Sequence, residues 1–476
     1  MNVKELISAM QNGAYDSNLK AVYLTDGAVD LQKPRYVEAL NSFGELFGFD
    51  REVSIMSAPG RTEVCGNHTD HNNGKVLAAS INLDAIAVVS KNDDNIIRVK
   101  SKGHRMNVVD LNDLTPNEKN FGSSTTLVQG VAAGIKDLGF EVKGFDAYTT
   151  SDVMGGSGLS SSAAFEVLLG TVLSYLYNDG KINPVDIAKV AQYSENVFFG
   201  KPCGLLDQMA SSVGSFVTID FKSTSQPIIK KVDFDFSKSG HSLCILDTGG
   251  NHSDLTDDYA AVREEMESVA KAMGKSVLRE IEYDDFFAAL PQIVGKVNDR
   301  AILRAIHFYN ENKRVEKAVE CLESNDFEGF KRVIIDSGRS SFMLNQNVYT
   351  PKNPTEQKLS LALAVSEEIL SGKGAWRVHG GGFAGTIQAF VPNELLDTYK
   401  KENGSDKKLP RISELNAEYA MLLERKKSSY AEYRKTKSEM QDWLVAQKIV
   451  QEILKEDEQK KEQMHEQGEE NRENSR

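Results

Sequence analysis

Apolar and polar positions divide the chain into segments of different texture. Residues 1 to about 50 read as helical and polar. From Val53 the pattern changes. Val76 to Ser90 is rich in Val, Ala and Ile and predicts a strand, and Ile96-Ile97-Arg98-Val99 predicts a second. Leu127 to Leu138 has helical spacing. Phe145 to Thr150 alternates as a strand and runs into a glycine-serine loop, followed by an apolar helix from Ala163 to Tyr177. Further on, Leu243 to Asp247 and Thr386 to Val391 predict strands. Tyr259 to Met273, Val297 to Tyr309 and Gln357 to Leu370 predict helices, and a glycine cluster sits at Gly380 to Gly382. Strands and helices mix without a strict βαβ rhythm, which points to an α+β fold.

Near Lys400 the texture breaks again. Residues 403 to 476 are densely charged and carry sparse apolar positions at helical spacing: Leu415, Tyr419, Leu422, then Tyr430, Tyr433, Met440 and Leu444. From Glu456 the chain is almost entirely polar and is expected to be disordered. A length of 476 residues exceeds one ordinary core. The expected layout is a helical segment at 1–50, two domains at 51–220 and 221–402, a helical extension at 403–455 and a tail at 456–476.

Composition narrows the function classes. A formal net charge of −13 disfavours nucleic acid and anionic membrane as partners. No run of about eighteen apolar residues is present to span a bilayer, and the N-terminus lacks a signal-peptide pattern. Cys65, Cys203, Cys244 and Cys321 are scattered, with no Cys-x-x-Cys pair, so neither zinc nor a disulfide framework is indicated. Free thiols fit a reducing cytoplasm.

Four segments carry candidate chemistry. The loop Gly155-Gly156-Ser157-Gly158-Leu159-Ser160-Ser161-Ser162 lies between a strand and an apolar helix. Small residues let its backbone approach a ligand closely, and its N–H groups with the helix N-terminus favour an anion. It is not a Walker A loop, because no Gly-Lys-Ser/Thr follows. The second segment, Ser57 to Gly74, gathers Arg61, Asn67, His68, Asp70, His71, Asn72 and Asn73, side chains suited to a polyol or, less well, a divalent metal. The third, Cys203 to Gln208, puts Asp207 in an apolar stretch, where a lone carboxylate is costly unless paired or functional; a helix-capping role is the alternative. The fourth is Gly380 to Gly385.

In this order the four segments resemble the GHMP kinase superfamily, and galactokinases in particular, from about residue 20 to about 400. The resemblance implies a two-domain fold with the active site between the domains, the first domain binding ATP. It implies a sugar 1-kinase that uses ATP and Mg2+ and takes a small-molecule sugar as its partner. Asp207 would accept the proton of the anomeric hydroxyl, and Arg61 would hold it ionised and stabilise the transferring phosphoryl group. Ser162 and Glu195 match Mg2+ ligands, and Asn67, His68, Asp70, Gly204 and Tyr259 match sugar contacts. The kinase part is expected to be a monomer or weak dimer.

The chain departs from that pattern in several places. Galactokinases usually have Glu where Asn67 stands, so a kinase for another sugar, such as a uronic acid, is an alternative. The usual Asn-Leu-Ile after the arginine reads Thr62-Glu63-Val64. Ser123 to Leu127 replaces the aromatic segment near the adenine. The closing strand after the last glycine motif is not recognisable. Leu409 to Leu454 resembles, more weakly, the C-terminal helical segment of relaxases, as in a gene fusion. A damaged sheet would also allow an inactive sugar sensor, although Asp207, Arg61 and the serine loop are retained.

Overall fold

Three helices open the chain: α1 (Val3–Gln11), α2 (Asp16–Tyr23) and α3 (Asp26–Phe47). Asn2 and Thr25 begin α1 and α3 by accepting the backbone N–H of Glu5 and Ala28. The computed structural model describes residues 1–153, 159–224, 226–249 and 255–403, with isolated positions 429, 436, 440 and 443 beyond.

The first sheet contains β1 (Ser54–Cys65), β2 (Lys75–Lys91), β3 (Ile96–Ser101), β4 (Met106–Asp110), β5 (Phe145–Ser151), β6 (Phe216–Asp220) and β7 (Ile228–Val232). Its order is β4-β3-β5-β2-β6-β7, with β1 also paired to β2. Four helices lie in this half: α4 (Ser124–Asp137), α5 (Ser161–Tyr177), α6 (Pro184–Tyr193) and α7 (Leu206–Val213). The near-continuous apolar run in β2 has a simple cause. Ala85, Ala87 and Val89 pack with Val131 of α4 and Leu168 of α5, whereas Ile86 and Val88 pack with Leu40 and Phe43 of α3. Both faces of the strand are covered, so alternation disappears from the sequence. The N-terminal helices are therefore one layer of this core and not an appendage.

The second half holds α8 (Thr256–Ala272), α9 (Tyr283–Ile293), α10 (Asp299–Glu323), α11 (Phe327–Ser340), α12 (Lys358–Leu370) and α13 (Leu396–Glu402). Its sheet is antiparallel, β8 (His241–Asp247) and β9 (Ala375–Val378) flanking β10 (Thr386–Pro392). Two π-helical turns, Ser194–Phe199 and Ser341–Asn345, continue α6 and α11. Such turns cluster at functional sites.

Every strand and helix expected above lies within one of these elements or overlaps it by most of its length. The polar segment from Ser57 is a strand as far as Cys65, so Arg61 sits on a rigid element. α13 is the last described helix after the glycine motif. Residues Met1–Asn403 form one compact unit. The expected extension, polar tail and relaxase-like segment lie outside the described residues except at the four isolated positions. No described helix is long and apolar enough to cross a membrane.

Candidate active site

Asp207 occupies the first turn of α7, where a carboxylate suits the positive end of the helix. It does not cap that turn; the residue before α7, Leu205, makes no side-chain cap either. Its oxygens instead accept Arg61 Nε at 2.7 Å and Ser160 Oγ at 2.5 Å. Burial alone would raise this carboxyl, but the Arg61 charge, the hydrogen bonds from Arg61 and Ser160 and the more distant Lys201 together hold it below the usual carboxylate range. One third of the Asp207 side chain remains open to solvent, against 14% of Arg61. The site thus pairs an ionised carboxylate, open to solvent over a third of its side chain, with a fixed cation.

Ser160 stands at the head of α5 with φ 60°, and its hydroxyl makes no cap. Because that hydroxyl goes to Asp207, it does not occupy the first backbone N–H groups of this 17-residue helix. On the same helix Ser162 Oγ lies 3.3 Å from Glu195 Oε1. Glu195 is on the π-helical turn, 3% exposed, and also takes Lys201 Nζ at 3.0 Å and Gln208 Nε2 at 3.0 Å. Glu166, one turn along α5, is fully buried, and neither of its oxygens has a hydrogen-bond partner among the described residues. Burial first, then the Glu195 charge, push its acid up to about 9. A hydroxyl and a carboxylate are the hard oxygen donors that suit Mg2+, which takes few protein ligands and fills its shell with phosphate and water. Among the described residues no group of three or more metal-ligating side chains forms a closed cage. Gly155, Gly156, Ser157 and Gly158 lie outside the described residues; Leu159 accepts the Arg61 N–H at 3.2 Å.

The polar motif after β1 is held from behind by α10. Glu311 accepts the Gly66 N–H at 3.0 Å, and His307 Nε2 donates to the Asn67 carbonyl at 2.9 Å. His68, at φ 56°, donates Nε2–H to the Gly381 carbonyl at 2.8 Å. Asp70 lies beside Gly204, and burial raises its carboxyl despite the opposing His68 charge. Tyr259 on α8 donates to the Gly382 carbonyl at 3.0 Å. The glycine motif is sterically obligatory here. A Cβ on Gly381 would fall 2.6 Å from the Tyr259 ring, and one on Gly382, at φ +77°, would fall 1.9 Å from the Asn347 carbonyl.

Asn67 is placed differently from the other expected sugar contacts. It is 1% exposed, and its Nδ2 donates to Glu63 Oε1 at 3.0 Å and to the Gly380 carbonyl at 2.7 Å. Its Oδ1 accepts Asn347 Nδ2 at 2.8 Å and Ser341 Oγ at 3.4 Å. Both hydrogens and both lone pairs are engaged by protein, so the side chain faces the framework. Glu63 is paired in turn with the fully buried Arg377 at 3.0 Å. Lys201, Asn347 and Arg377 went unnoticed in the sequence; Asn347 and Arg377 acquire their roles only through contacts 280 and 314 positions along the chain.

The fold is that of a GHMP kinase. Residues 122–215 match the GHMP kinases N terminal domain, and residues 41–91 match the galactokinase galactose-binding signature. The chain is 33% identical over 364 residues to a galactokinase of Streptomyces coelicolor, covering 75% of this chain and 89% of that protein. It is 31% identical to a galactokinase of Actinobacillus pleuropneumoniae, covering 78% and 95%. Among solved structures, a Lactococcus lactis galactokinase complexed with galactose shares the fold with a TM-score of 0.64 at 24% identity, covering 78% of this chain and 94% of that one. Methanococcus jannaschii mevalonate kinase does so with a TM-score of 0.54 at 16% identity, covering 75% and 96%. The chain belongs to the galactokinase family.

Proposed function

We propose that this enzyme transfers the γ-phosphoryl group of ATP to the anomeric hydroxyl of galactose, giving galactose 1-phosphate and ADP. The observation that carries the reading is Asp207, kept ionised between Arg61 and Ser160 at the head of α5. Asp207 accepts the hydroxyl proton as the sugar oxygen bonds to the γ-phosphorus and the bond to the ADP oxygen breaks. Arg61, already held in place, offsets charge on the transferring group without further reorganisation. His68, Asp70, Gly204 and Tyr259 form the sugar wall with the glycine motif, and residues 155–162 bind the phosphates. Ser162 and Glu195 would hold Mg2+, which would neutralise charge on the phosphate oxygens. In this reading residues 51–220 are the nucleotide half and 221–402 the second half of a cytoplasmic monomer or weak dimer.

A second reading, a kinase for a different sugar, is favoured by one observation: where galactokinases usually have Glu, Asn67 is turned into the framework with its amide fully engaged, so the position offers a sugar no carboxylate. A coupled ADP-release assay on galactose, galacturonate and N-acetylgalactosamine tests both. Galactose-dependent ADP release supports the first reading, preference for galacturonate supports the second, and no release with any sugar sinks the kinase assignment.

A further inference from the structure

The N-terminal helices carry none of the four motifs, yet one side chain of α3 reaches the root of the phosphate loop. Arg35 is 11% exposed at its side chain. Its Nη1 donates to Asp84 Oδ1 at 2.6 Å and to Gln32 Oε1 at 2.9 Å, and lies 3.2 Å from Asp152 Oδ2. Its Nη2 donates to the carbonyls of Asp84 at 2.8 Å and Thr150 at 3.1 Å. Gln32, one turn earlier, donates to Asp152 Oδ2 at 3.0 Å.

These acceptors share one location. Thr150 is near the end of β5, and Asp152 follows that strand immediately, on the approach to the glycine-serine loop. The Asp152 N–H donates to the Asp84 carbonyl at 2.9 Å, tying the same point to β2. Asp84 is 2% exposed and also accepts Tyr23 Oη at 2.7 Å and Ser57 Oγ at 2.5 Å. Helices α2 and α3 and strands β1, β2 and β5 therefore meet at one buried carboxylate, with the guanidinium fork of Arg35 closing the joint. The opposite flank of the loop is already fixed, by Leu159 to Arg61 and by Ser160 to Asp207. A loop that cradles phosphate with backbone N–H groups depends on the placement of both flanks.

We propose that Arg35, with Gln32 and Asp152, is a positioning device for nucleotide binding: the N-terminal helical layer anchors the entry flank of the phosphate loop, and so sets affinity for the ATP phosphates without touching them. This rests on reading residues 155–162 as the phosphate loop. Arginine suits the role because a planar fork satisfies several fixed acceptors at once, which a lysine ammonium does not.

The test is direct binding in the absence of turnover. Affinities for ATP and for galactose are measured separately by calorimetry on the full chain, together with the melting temperature. In Arg35→Ala, ATP binding is expected to weaken at least about tenfold, as misplacement at a distance from the chemistry does, with galactose affinity unchanged. Arg35→Lys should fall between. Asp152→Asn, at a side chain 36% exposed, keeps the result readable if Arg35→Ala does not fold, and should weaken ATP in the same direction. Glu38→Gln is the control. It breaks an exposed ion pair from the same helix to Lys102, 2.6 Å long, and should leave ATP affinity intact. Folded Arg35→Ala and Asp152→Asn proteins with parental ATP affinity overturn the anchor. Equal losses for ATP and galactose reduce it to general stability and overturn it too. A parent protein that binds galactose but no ATP overturns the phosphate-loop reading itself, a result distinct from insensitive variants of an ATP-binding parent.

Discussion

At the residue scale the proposed chemistry rests on one carboxylate. Asp207→Asn keeps the shape, its oxygen can still accept from Arg61 and its N–H can donate to the Ser160 hydroxyl, but an amide cannot take the sugar proton. Turnover is expected to fall at least about a hundredfold while galactose binding and melting temperature stay near parental values; near-normal kcat would remove Asp207 from the role of base. The lowered pKa of Asp207 also means that the acid limb of the kcat/KM profile lies below the ordinary carboxylate range for this group. Asn67 supplies the second test. Asn67→Glu sets a carboxylate against Glu63 Oε1, now 3.0 Å from the amide, in a buried network. It is expected to cost about 3 kcal/mol of stability, the scale for an uncompensated buried charge. Adding Glu63→Gln restores a donor for the new carboxylate and should recover much of that loss. Denaturation of the two single variants and the double variant checks the coupling, and additive losses would show that 63 and 67 do not act as a pair.

At the scale of elements, much of the architecture was legible. The β2 run, the β5 alternation and the apolar α5 helix each carry a strong period, and the glycine-serine loop is placed by its neighbours. Less visible were β1 and α11. β1 holds Ser57, Arg61, Thr62 and Glu63, polar residues that mask the strand period because they serve the cleft and the inter-sheet network. The side of the site made by residue type, Asp207 with Arg61, was readable from motifs, whereas Asn67 was not. Its expected exposure to the sugar depended on a lone sequence position, and its actual surroundings come from residues 341, 347 and 380, over 270 positions away. The glycine motif gives a comparison within one residue type. Gly382→Ala meets the Asn347 carbonyl at a positive φ, whereas Gly274→Ala, at φ +74°, meets nothing within 4 Å. Gly274→Ala should therefore cost only the backbone strain, about 1 kcal/mol. Gly382→Ala should cost clearly more and also raise KM for the sugar, because the Tyr259 and His68 contacts run through this turn. Equal melting temperatures for the two variants would contradict the steric argument.

Across the whole molecule, two buried histidines join the motif after β1 to the second half. His307 of α10 bonds the Asn67 carbonyl and Ser340 Oγ, and His379, just after β9, lies between Thr62 Oγ1 of β1 and Thr386 Oγ1 of β10. Burial lowers His307 to about 4 and His379 to about 3. Both are therefore neutral in the folded protein at pH values where a solvated histidine, with a pKa of about 6.5, has taken up its proton. As pH falls through that value the unfolded chain binds more protons than the folded one, so unfolding becomes more favourable. Each histidine adds at most about 1.4 kcal/mol per pH unit to this slope. The loss begins near pH 6.5 and continues to about pH 4, where His307 itself protonates. The lowered carboxyls, Asp207 and Glu311, act in a more acidic window: their stabilisation is complete above the ordinary carboxylate range and is lost as the pH falls through that range toward their lower folded values. Acid-induced loss between pH 7 and 5 should accordingly trace to the histidines and not to these two carboxylates, whereas Glu166, with its acid pushed up to about 9, contributes a slope of opposite sign in the same window. Urea unfolding at several pH values from 7 to 5 measures the slope, and His307→Gln and His379→Gln should each flatten it, since an amide can keep one hydrogen bond and cannot titrate. A slope unchanged in both variants would place the acid sensitivity elsewhere in the chain.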